Sequence, residues 1–222
     1  WSCCSQDFGV SSVVDRFAQI EPVLFIAADG YYYNGKTHTR LEEIDAVRQS
    51  LQGLRDTLLI NYTGAVRDEV KSGITIYDTL IDGNDEDPEF EALPFDHPLW
   101  ILYSSGTTGA PKAITHSHGG CLLEHLKYLA FHNDVHPGER FFWYTTTGWM
   151  MWNFLHGSMM LGATIVLYDG SPGYPDIDRL WAFSAEKDIQ HFGTSAPYLV
   201  ACMKEGIYPG SQHDLTSLRS IG

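Results

Sequence analysis

A short apolar run, Leu99 to Tyr103 (LWILY), empties directly into a loop of hydroxyls and glycines, Ser104 to Lys112 (SSGTTGAPK). Pro98 bounds the run upstream and the Ser/Gly cluster bounds it downstream, so it reads as a buried strand. A strand ending this way brings backbone N–H groups to the edge of a sheet, where they converge on phosphate oxygens. Gly106 and Gly109 are expected to admit close approach of the backbone and to take positive φ. Ser104, Ser105, Thr107 and Thr108 add hydroxyl donors, and Lys112 adds a mobile positive charge. A Walker loop places four residues between its first glycine and Gly-Lys-Ser/Thr. Here two residues separate Gly106 from Gly109, and Lys112 follows Pro111. The G-x-G-x-x-G dinucleotide pattern is absent too. Taken alone, Lys112 also reads as a surface lysine after a proline turn.

The rest of the chain alternates strand and helix signals, which predicts α/β units. Val10–Phe17 is compatible with a short helix. Val23–Ala28 runs into Asp29-Gly30, and Tyr31–Tyr33 runs into Asn34-Gly35; both dipeptides form turns, so the stretch reads as a β-hairpin. Thr39–Glu42 is a capping-box sequence opening a helix, with Leu41, Ile44, Val47, Ser50, Leu51 and Leu54 along one face. A short strand follows at Leu58–Asn61. After the loop, Ala113–His116 is a strand, followed by a helix with Leu122, Leu123, Leu126 and Leu129 on one face and His125 and Lys127 off it. Phe141–Thr145 and Ala163–Tyr168 read as buried strands flanking a helix from about Trp149 to Leu161. Ile189–Phe192 is another strand, leading to a helix from Ser195 to about Glu205.

From Asp82 to Asp96 the sequence carries seven acids and no Lys or Arg. It lacks the offsets and terminal Glu of a calcium loop, so it reads as a solvated loop and the best internal boundary, dividing 1–96 from 97–222. His116, His118, His125, His132 and His136 have no zinc or non-haem iron spacing, and no metal ligand is assigned. Apolar residues make up 44% and charged residues 19%, which places the chain among globular proteins. A net charge of −14 argues against nonspecific binding to nucleic acid or anionic membrane. No apolar stretch approaches the roughly 20 residues of a membrane span, and no targeting signal is recognisable. Cys3, Cys4, Cys121 and Cys202 read as free thiols in a reducing compartment, so a cytoplasmic (cytosolic) location is expected.

YSSGTTGAPK, Tyr103 to Lys112, resembles the phosphate-loop signature of the adenylate-forming superfamily, which includes acyl-CoA synthetases, luciferases and peptide-synthetase adenylation domains. Phe141–Asn153 (FFWYTTTGWMMWN) resembles the aromatic substrate-side segment of the short-chain acyl-CoA synthetases. Leu167–Trp181 (LYDGSPGYPDIDRLW) resembles the Asp/Glu-Gly-x-Pro element that follows it, and His191–Tyr198 (HFGTSAPY) resembles the next strand and Ser/Thr-Ala-Pro turn. The likeness covers nearly the whole chain, and Trp1–Phe17 with TTTGWMMWN narrows it within that group.

The resemblance implies an α/β chain that is part of the large N-terminal domain of the adenylate-forming fold, with mixed sheets flanked by helices. Residues 1–96 would be the N-terminal part of that domain, and 97–222 the phosphate-loop and acyl/CoA side. It implies ATP, CoA and Mg2+ as cofactors, with acetoacetate as the small-molecule substrate; acetyl- and propionyl-type enzymes are the competitors. Ser104, Ser105, Gly106, Thr107, Thr108, Gly109 and Lys112 would hold the β- and γ-phosphates, with Thr107, Thr108 and Lys112 acting in catalysis. Trp149, Met151, Trp152, Asn153, Gly173, Thr194 and Ser195 would lie on the substrate side. Trp149 and Trp152, at i and i+3, read equally as core aromatics, and Asn153 as either a partner of the keto oxygen or a helix-surface amide. Acetyl-type enzymes carry a small residue and Thr where this chain has Met150-Met151, and an Asn after Gly-x-Pro where this chain has Gly173. The family's adenine, magnesium and ribose motifs, hinge and C-terminal lysine lie beyond Gly222. The expectation is therefore a fragment, inactive alone; a truncated, noncatalytic interaction module is the other class.

Overall fold

A computed structural model describes residues 1–66, 72–83, 86–104, 109 and 111–222. The chain divides into two compact units: Trp1–Pro94 with Trp100–His116, and Phe95–Leu99 with Ser117–Gly222.

The first unit runs α1 (Val10–Phe17), β1 (Leu24–Ala28), β2 (Gly30–Tyr33), β3 (Lys36–Thr39), α2 (Leu41–Ser50), β4 (Asp56–Ile60), β5 (Thr75–Ile76) and α3 (Tyr77–Ile81). β6 (Pro98–Tyr103) and β7 (Ala113–Ser117) pair as a two-stranded sheet. Val10, Val13, Val14 and Phe17 recur at i, i+3, i+4 and i+7, and this stripe of α1 packs with Val47 and Leu51 beneath Phe25 of β1. β1 and β4 are parallel, with Phe25 opposite Thr57, and β5 joins the far side of β4.

Four expectations need correction here. Asn34-Gly35 does turn β2 back onto β3, both residues having positive φ (49° and 71°). Asp29-Gly30 makes no hairpin, because β1 pairs in parallel with β4 and Asp29 is fully buried at the junction. Its Oδ1 accepts the N–H groups of Tyr62 (2.9 Å) and Thr63 (2.8 Å), and its Oδ2 that of Ala65 (2.8 Å). The capping box is not formed, since Thr39 ends β3 and Arg40 is the N-cap residue without a side-chain cap. The Arg40 guanidinium instead binds Glu43 and the carbonyl of Phe8. On α2, Ile44, Val47 and Leu51 are buried but Leu41 and Ser50 are exposed. At 100° per residue each lies about 90° from the buried stripe. Finally, β6 is half-buried rather than buried, paired among the described residues with β7 in a two-stranded sheet.

The second unit runs α4 (His118–Phe131), β8 (Arg140–Trp143), α5 (Met150–Gly157), a 3-10 turn at Ser158–Leu161 and β9 (Thr164–Val166). It continues through α6 (Arg179–Glu186), β10 (His191–Gly193), α7 (Ala196–Lys204), α8 (Pro209–Gln212) and β11 (Ser220–Ile221). Its sheet has the order β11-β10-β8-β9 and is parallel throughout. Strand alternation sends Phe142 and Phe192 to one face, where Leu180, Trp181 and Phe183 of α6 and Tyr198 and Cys202 of α7 cover them. Phe141 goes to the other face, against Leu129 of α4 and Phe154 and Leu155 of α5. Covering both faces is what a parallel sheet requires.

α4 does not use the leucine face expected of it. Its buried stripe is Cys121, His125 and Leu129, four residues apart, whereas Leu122 and Leu123 are 47% and 59% exposed. His125 stands edge-on to Phe154 at 6.0 Å, and a Cβ on Gly157 would run into its imidazole. A ring with one apolar edge thus fills a core position that hydropathy alone assigns to leucine. Residues 86–98 are exposed.

Candidate active site

Within the first unit, the neck of the Ser/Gly loop is closed by two residues. Ser104 donates its N–H to the Lys112 carbonyl (3.1 Å), and the Lys112 N–H reaches the Ser104 hydroxyl at 3.4 Å. Gln19, just past α1, binds both sides of the exit, donating to the Pro111 carbonyl (2.8 Å) and accepting from Ala113 N–H (3.4 Å). β6 is tied down as well. Tyr103 donates its hydroxyl to the Arg16 carbonyl (2.9 Å), and the Arg16 guanidinium lies over the Phe8 and Tyr103 rings. Burial pushes the Tyr103 hydroxyl above its ordinary pKa, which keeps it a neutral donor.

Lys112 is exposed, and among the described residues its ammonium has no carboxylate partner. Ser105, Gly106, Thr107 and Thr108 lie outside the described residues. Among the described residues, nothing lies within 4 Å of where a Cβ on Gly109 would stand.

Within the second unit, the residues expected on the substrate side gather about the carboxyl ends of β8, β9 and β10. In an open α/β sheet that edge is where ligands bind. They do not form one cluster. Trp149 is the N-cap of α5 and 66% exposed, so it is not a core aromatic. Trp152 is: half-buried against the Phe141–Phe154 cluster, it packs edge-on to His156 at 4.4 Å. Met151 packs against the same cluster. Asn153 is only 6% exposed, which excludes the surface-amide reading. It sits one turn before Gly157, on the helix face that meets His125 of α4.

Gly173 belongs to the opposite face. It follows Ser171, whose hydroxyl receives the Gly173 N–H (3.3 Å), in a segment anchored by Tyr144 donating to the Gly170 carbonyl (2.9 Å). Nearby Ile177 accepts the Tyr198 hydroxyl (2.9 Å). Thr194, one residue past β10, donates its N–H to the Gly222 carbonyl (3.0 Å); among the described residues its buried hydroxyl has no hydrogen-bond partner. Ser195 serves locally as the N-cap of α7, accepting from Tyr198 N–H at 3.4 Å. Sequence reasoning passed over Trp143 and Gly193, which face each other across β8 and β10 at this edge. The available signal was a glycine closing a short buried strand, which marks close approach of another group.

A second constellation has the order of a nucleophile, base and acid. His191 places Nδ1 2.8 Å from the Ser220 hydroxyl and Nε2 2.8 Å from Glu139. His191 is 2% exposed and stacked on Phe141, so no substrate reaches it. The cluster is structural, joining β8, β10 and β11. Burial alone would raise the Glu139 pKa, but the His136 N–H, His191 and Arg219 hold it below the usual carboxylate range. Among the described residues no group of three or more His, Cys, Asp and Glu side chains is placed to hold a metal, and no helix is long and apolar enough to cross a membrane.

Three known proteins are similar to this chain, two by sequence and one by both sequence and structure. The chain is 49% identical to acetoacetyl-coenzyme A synthetase of Rhizobium meliloti (strain 1021), the match covering 99% of the chain and 34% of that protein. It is 42% identical to acetoacetyl-CoA synthetase of Danio rerio, over all of the chain and 34% of the relative. The solved acetoacetyl-CoA synthetase from Streptomyces lividans superposes with a TM-score of 0.93 at 49% identity, covering 100% of this chain and 34% of that one. The chain thus spans about a third of the length of the relatives it matches. The family model described as "AMP-binding enzyme" matches residues 2–222, and with the parallel sheet and the loop neck in place the chain belongs to the AMP-binding enzyme family.

Proposed function

We propose that this chain is the phosphate-loop portion of an AMP-forming acid–thiol ligase that activates acetoacetate to acetoacetyl-CoA. The observation that carries the reading is the match, over this chain's whole length, to relatives named acetoacetyl-CoA synthetase, with YSSGTTGAPK inside the matched span and the Lys112 ammonium uncommitted to any carboxylate among the described residues.

The acetoacetate carboxylate attacks the α-phosphorus of ATP, forming an acyl-adenylate and releasing pyrophosphate. The CoA thiol, giving up its proton, then attacks the acyl carbon and expels AMP. Charge builds on phosphate oxygens in both steps, so the protein's contribution is largely positioning and electrostatic stabilisation. In this reading Lys112 and the hydroxyls of Thr107 and Thr108 neutralise the β- and γ-phosphates, with Ser104, Ser105, Gly106 and Gly109 shaping the loop around them. The Ser104–Lys112 neck and the Gln19 clamp keep the loop's two ends together, so that Lys112 leaves the sheet beside the phosphates it would bind. Trp149 and Met151 face the acyl and pantetheine groups. No Mg2+ ligand set exists among the described residues, and no step is assigned to the ion. Among the described residues Cys3, Cys4, Cys121 and Cys202 form no disulfide, which supports a reducing compartment, the cytosol.

The test is ATP–pyrophosphate exchange by the full-length protein carrying this chain, with acetoacetate, acetate, propionate and butyrate compared by kcat/KM. Butyrate has similar length without the keto oxygen. Preference for acetoacetate is expected; preference for acetate or butyrate leaves only the broader acyl-CoA synthetase reading, and no exchange with any acid removes both.

A further inference from the structure

We infer that His213 is a positioning residue for the thiol substrate, pinning through Asp178 the loop of residues 167–178 along which the pantetheine arm of CoA runs. The reading rests on the ligase assignment and extends it. That loop leaves the carboxyl end of β9 and enters α6, so it rims the edge of the parallel sheet where ligands bind. Its two ends are fixed and its middle is open. At the entry, Tyr144 donates its hydroxyl to the Gly170 carbonyl (2.9 Å) and Tyr168 donates to that of Ser171 (3.3 Å). At the exit, Tyr198 donates to the Ile177 carbonyl (2.9 Å), and His213 Nε2 meets Asp178 Oδ2 at 2.6 Å. Between these ties Gly173, Tyr174, Pro175 and Asp176 are exposed.

The exit tie depends on one imidazole. Asp178 Oδ2 has His213, whereas Oδ1 is buried without a hydrogen-bond partner among the described residues. Without the imidazole that carboxylate has no donor to offset its desolvation and moves toward water. Tyr198 and a longer Cys202 contact (3.9 Å) on the Ile177 carbonyl would then hold the exit. His213 follows α8, where its own N–H binds the Pro209 carbonyl (2.9 Å), so the pair ties the loop to the connection between α7 and β11.

The loop's composition selects the ligand. Residues 167–178 include three acids, Asp169, Asp176 and Asp178, and no Lys, Arg or His. The next residue, Arg179, is paired with Glu186 (3.5 Å) and lies over the Phe183 ring. Such a rim repels a carboxylate or a triphosphate, but not an uncharged chain of amides and methylenes. Pantetheine has that chemistry, and the exposed Tyr174 ring, flanked by Gly173 and Pro175, offers it an apolar surface.

A purely structural His213 would lower both half-reactions together. The experiment therefore separates them in the full-length protein: pyrophosphate exchange with acetoacetate, which needs no CoA, and acetoacetyl-CoA formation with CoA varied. His213→Ala is expected to raise the KM for CoA roughly 10-fold and to leave exchange within about twofold of wild type, since small misplacements by a distant residue cost up to about 100-fold. His213→Gln keeps a donor for Asp178 and should restore much of the affinity. Should His213→Ala fail to fold, His213→Ala combined with Asp178→Asn strands no charge and is read by the same two assays. A folded Ala or double variant that leaves the KM for CoA unchanged overturns the inference. Equal loss in both half-reactions, or a Gln variant no better than Ala, overturns it too. A wild-type protein that exchanges no pyrophosphate with any acid overturns the ligase assignment itself, a result distinct from an unchanged KM.

Discussion

Replacing Asp29 tests the most economical piece of the first unit. Its carboxylate is fully buried and holds a loop that begins 33 residues away. Oδ1 serves Tyr62 and Thr63, and Oδ2 serves Ala65. A hydrogen bond to a charged group contributes about 1.5–3 kcal/mol, and a buried donor left unpaired costs about 1–3 kcal/mol. Asp29→Asn keeps one acceptor oxygen, which can stay with Tyr62 and Thr63, but turns an amide NH2 toward the Ala65 N–H. One bond becomes a donor–donor conflict and two lose charge assistance, a cost of about 2–3 kcal/mol. Asp29→Ala strands all three donors and should cost about 3–5 kcal/mol, less than the sum because the bonds are not independent. Hydrogen exchange at Tyr62, Thr63 and Ala65 reads this directly: about 100-fold faster exchange or more in the Ala variant, with Asn intermediate and the second unit's amides unchanged. Burial alone would raise the Asp29 pKa, yet the N–H groups of Thr63, Ala65 and Tyr62 bring it below the ordinary value. The sign follows. The stabilisation is complete above the unfolded-state pKa and is lost as pH falls through the depressed folded value, so wild type and Asn variant converge in acid. Equal costs for Asn and Ala would refute the division of labour between the two oxygens, and unchanged exchange in both would refute the buried acceptor altogether.

In the full-length protein, Lys112→Ala, or Thr107→Ala with Thr108→Ala, should lower pyrophosphate exchange roughly 10- to 100-fold through lost charge-assisted phosphate contacts; unchanged exchange in both removes the phosphate-loop assignment. Glu139→Gln should destabilise the second unit by about 2–3 kcal/mol near neutral pH, because it weakens bonds to His191, Arg219 and the His136 N–H. With the folded Glu139 pKa depressed, that penalty shrinks as pH falls through it, and urea midpoints that differ equally at acid and neutral pH would contradict this. Burial pushes the Cys4 thiol up to about 11 against the opposing charge of Arg16, so it should alkylate far more slowly at neutral pH than a free cysteine. Peptide mapping after iodoacetamide treatment checks this, and labelling at the rate of free cysteine would refute it.

Local rules located what local chemistry decides. α1 spans the residues its stripe of valines and Phe17 indicates, and Asn34-Gly35 turns a hairpin because both residues accept positive φ. The misreadings occur where a distant partner overrides the local signal. Asp29-Gly30 has the composition of a turn, but backbone donors from residues 62–65 claim the carboxylate and bury it. Thr39 is taken by the β2–β3 ladder before it can cap α2. α4 exposes two leucines and buries a histidine whose imidazole packs where Gly157 of α5 has no side chain. The sequence carries no helix expectation at α6, where Leu180, Trp181 and Phe183 crowd neighbouring positions and Ser184 is buried with them, although Arg179 opens the helix and pairs with Glu186 two turns on. At the candidate site, motif order points to segments, while the packing of single residues is not written in it. Ser195 caps a helix, and the Trp143 indole packs where Gly193 and Gly222 have no side chains, a proximity that sequence spacing does not display.

The distribution of charge leaves Lys112 available for a phosphate, as one of four described cations, with Lys36, Arg55 and Lys204, outside the ion pairs and cation–ring contacts among the described residues. The chain carries 28 acids against 14 Lys and Arg, so a polyanion such as ATP meets a repulsive surface unless a local cation is left uncommitted. Most of the described cations are committed. Arg40, Arg48, Lys127, Arg140, Arg179, Lys187 and Arg219 each sit within salt-bridge distance of a carboxylate. Arg16 is spent over the Phe8 and Tyr103 rings and on the Ser12 carbonyl. Lys112 is spared this fate by geometry. Its backbone is fixed by Ser104 at the loop neck and by Gln19 on the following residue, and Gln19 is a neutral clamp that holds the strand without neutralising the ammonium. A carboxylate in place of Gln19 would keep the bond from the Ala113 N–H but bring a negative charge close to Lys112. Gln19→Glu should therefore weaken ATP binding in the full-length protein, and the loss should diminish as salt screens the added charge. A stability change with no change in the salt dependence of ATP affinity would show that Gln19 only buttresses the strand.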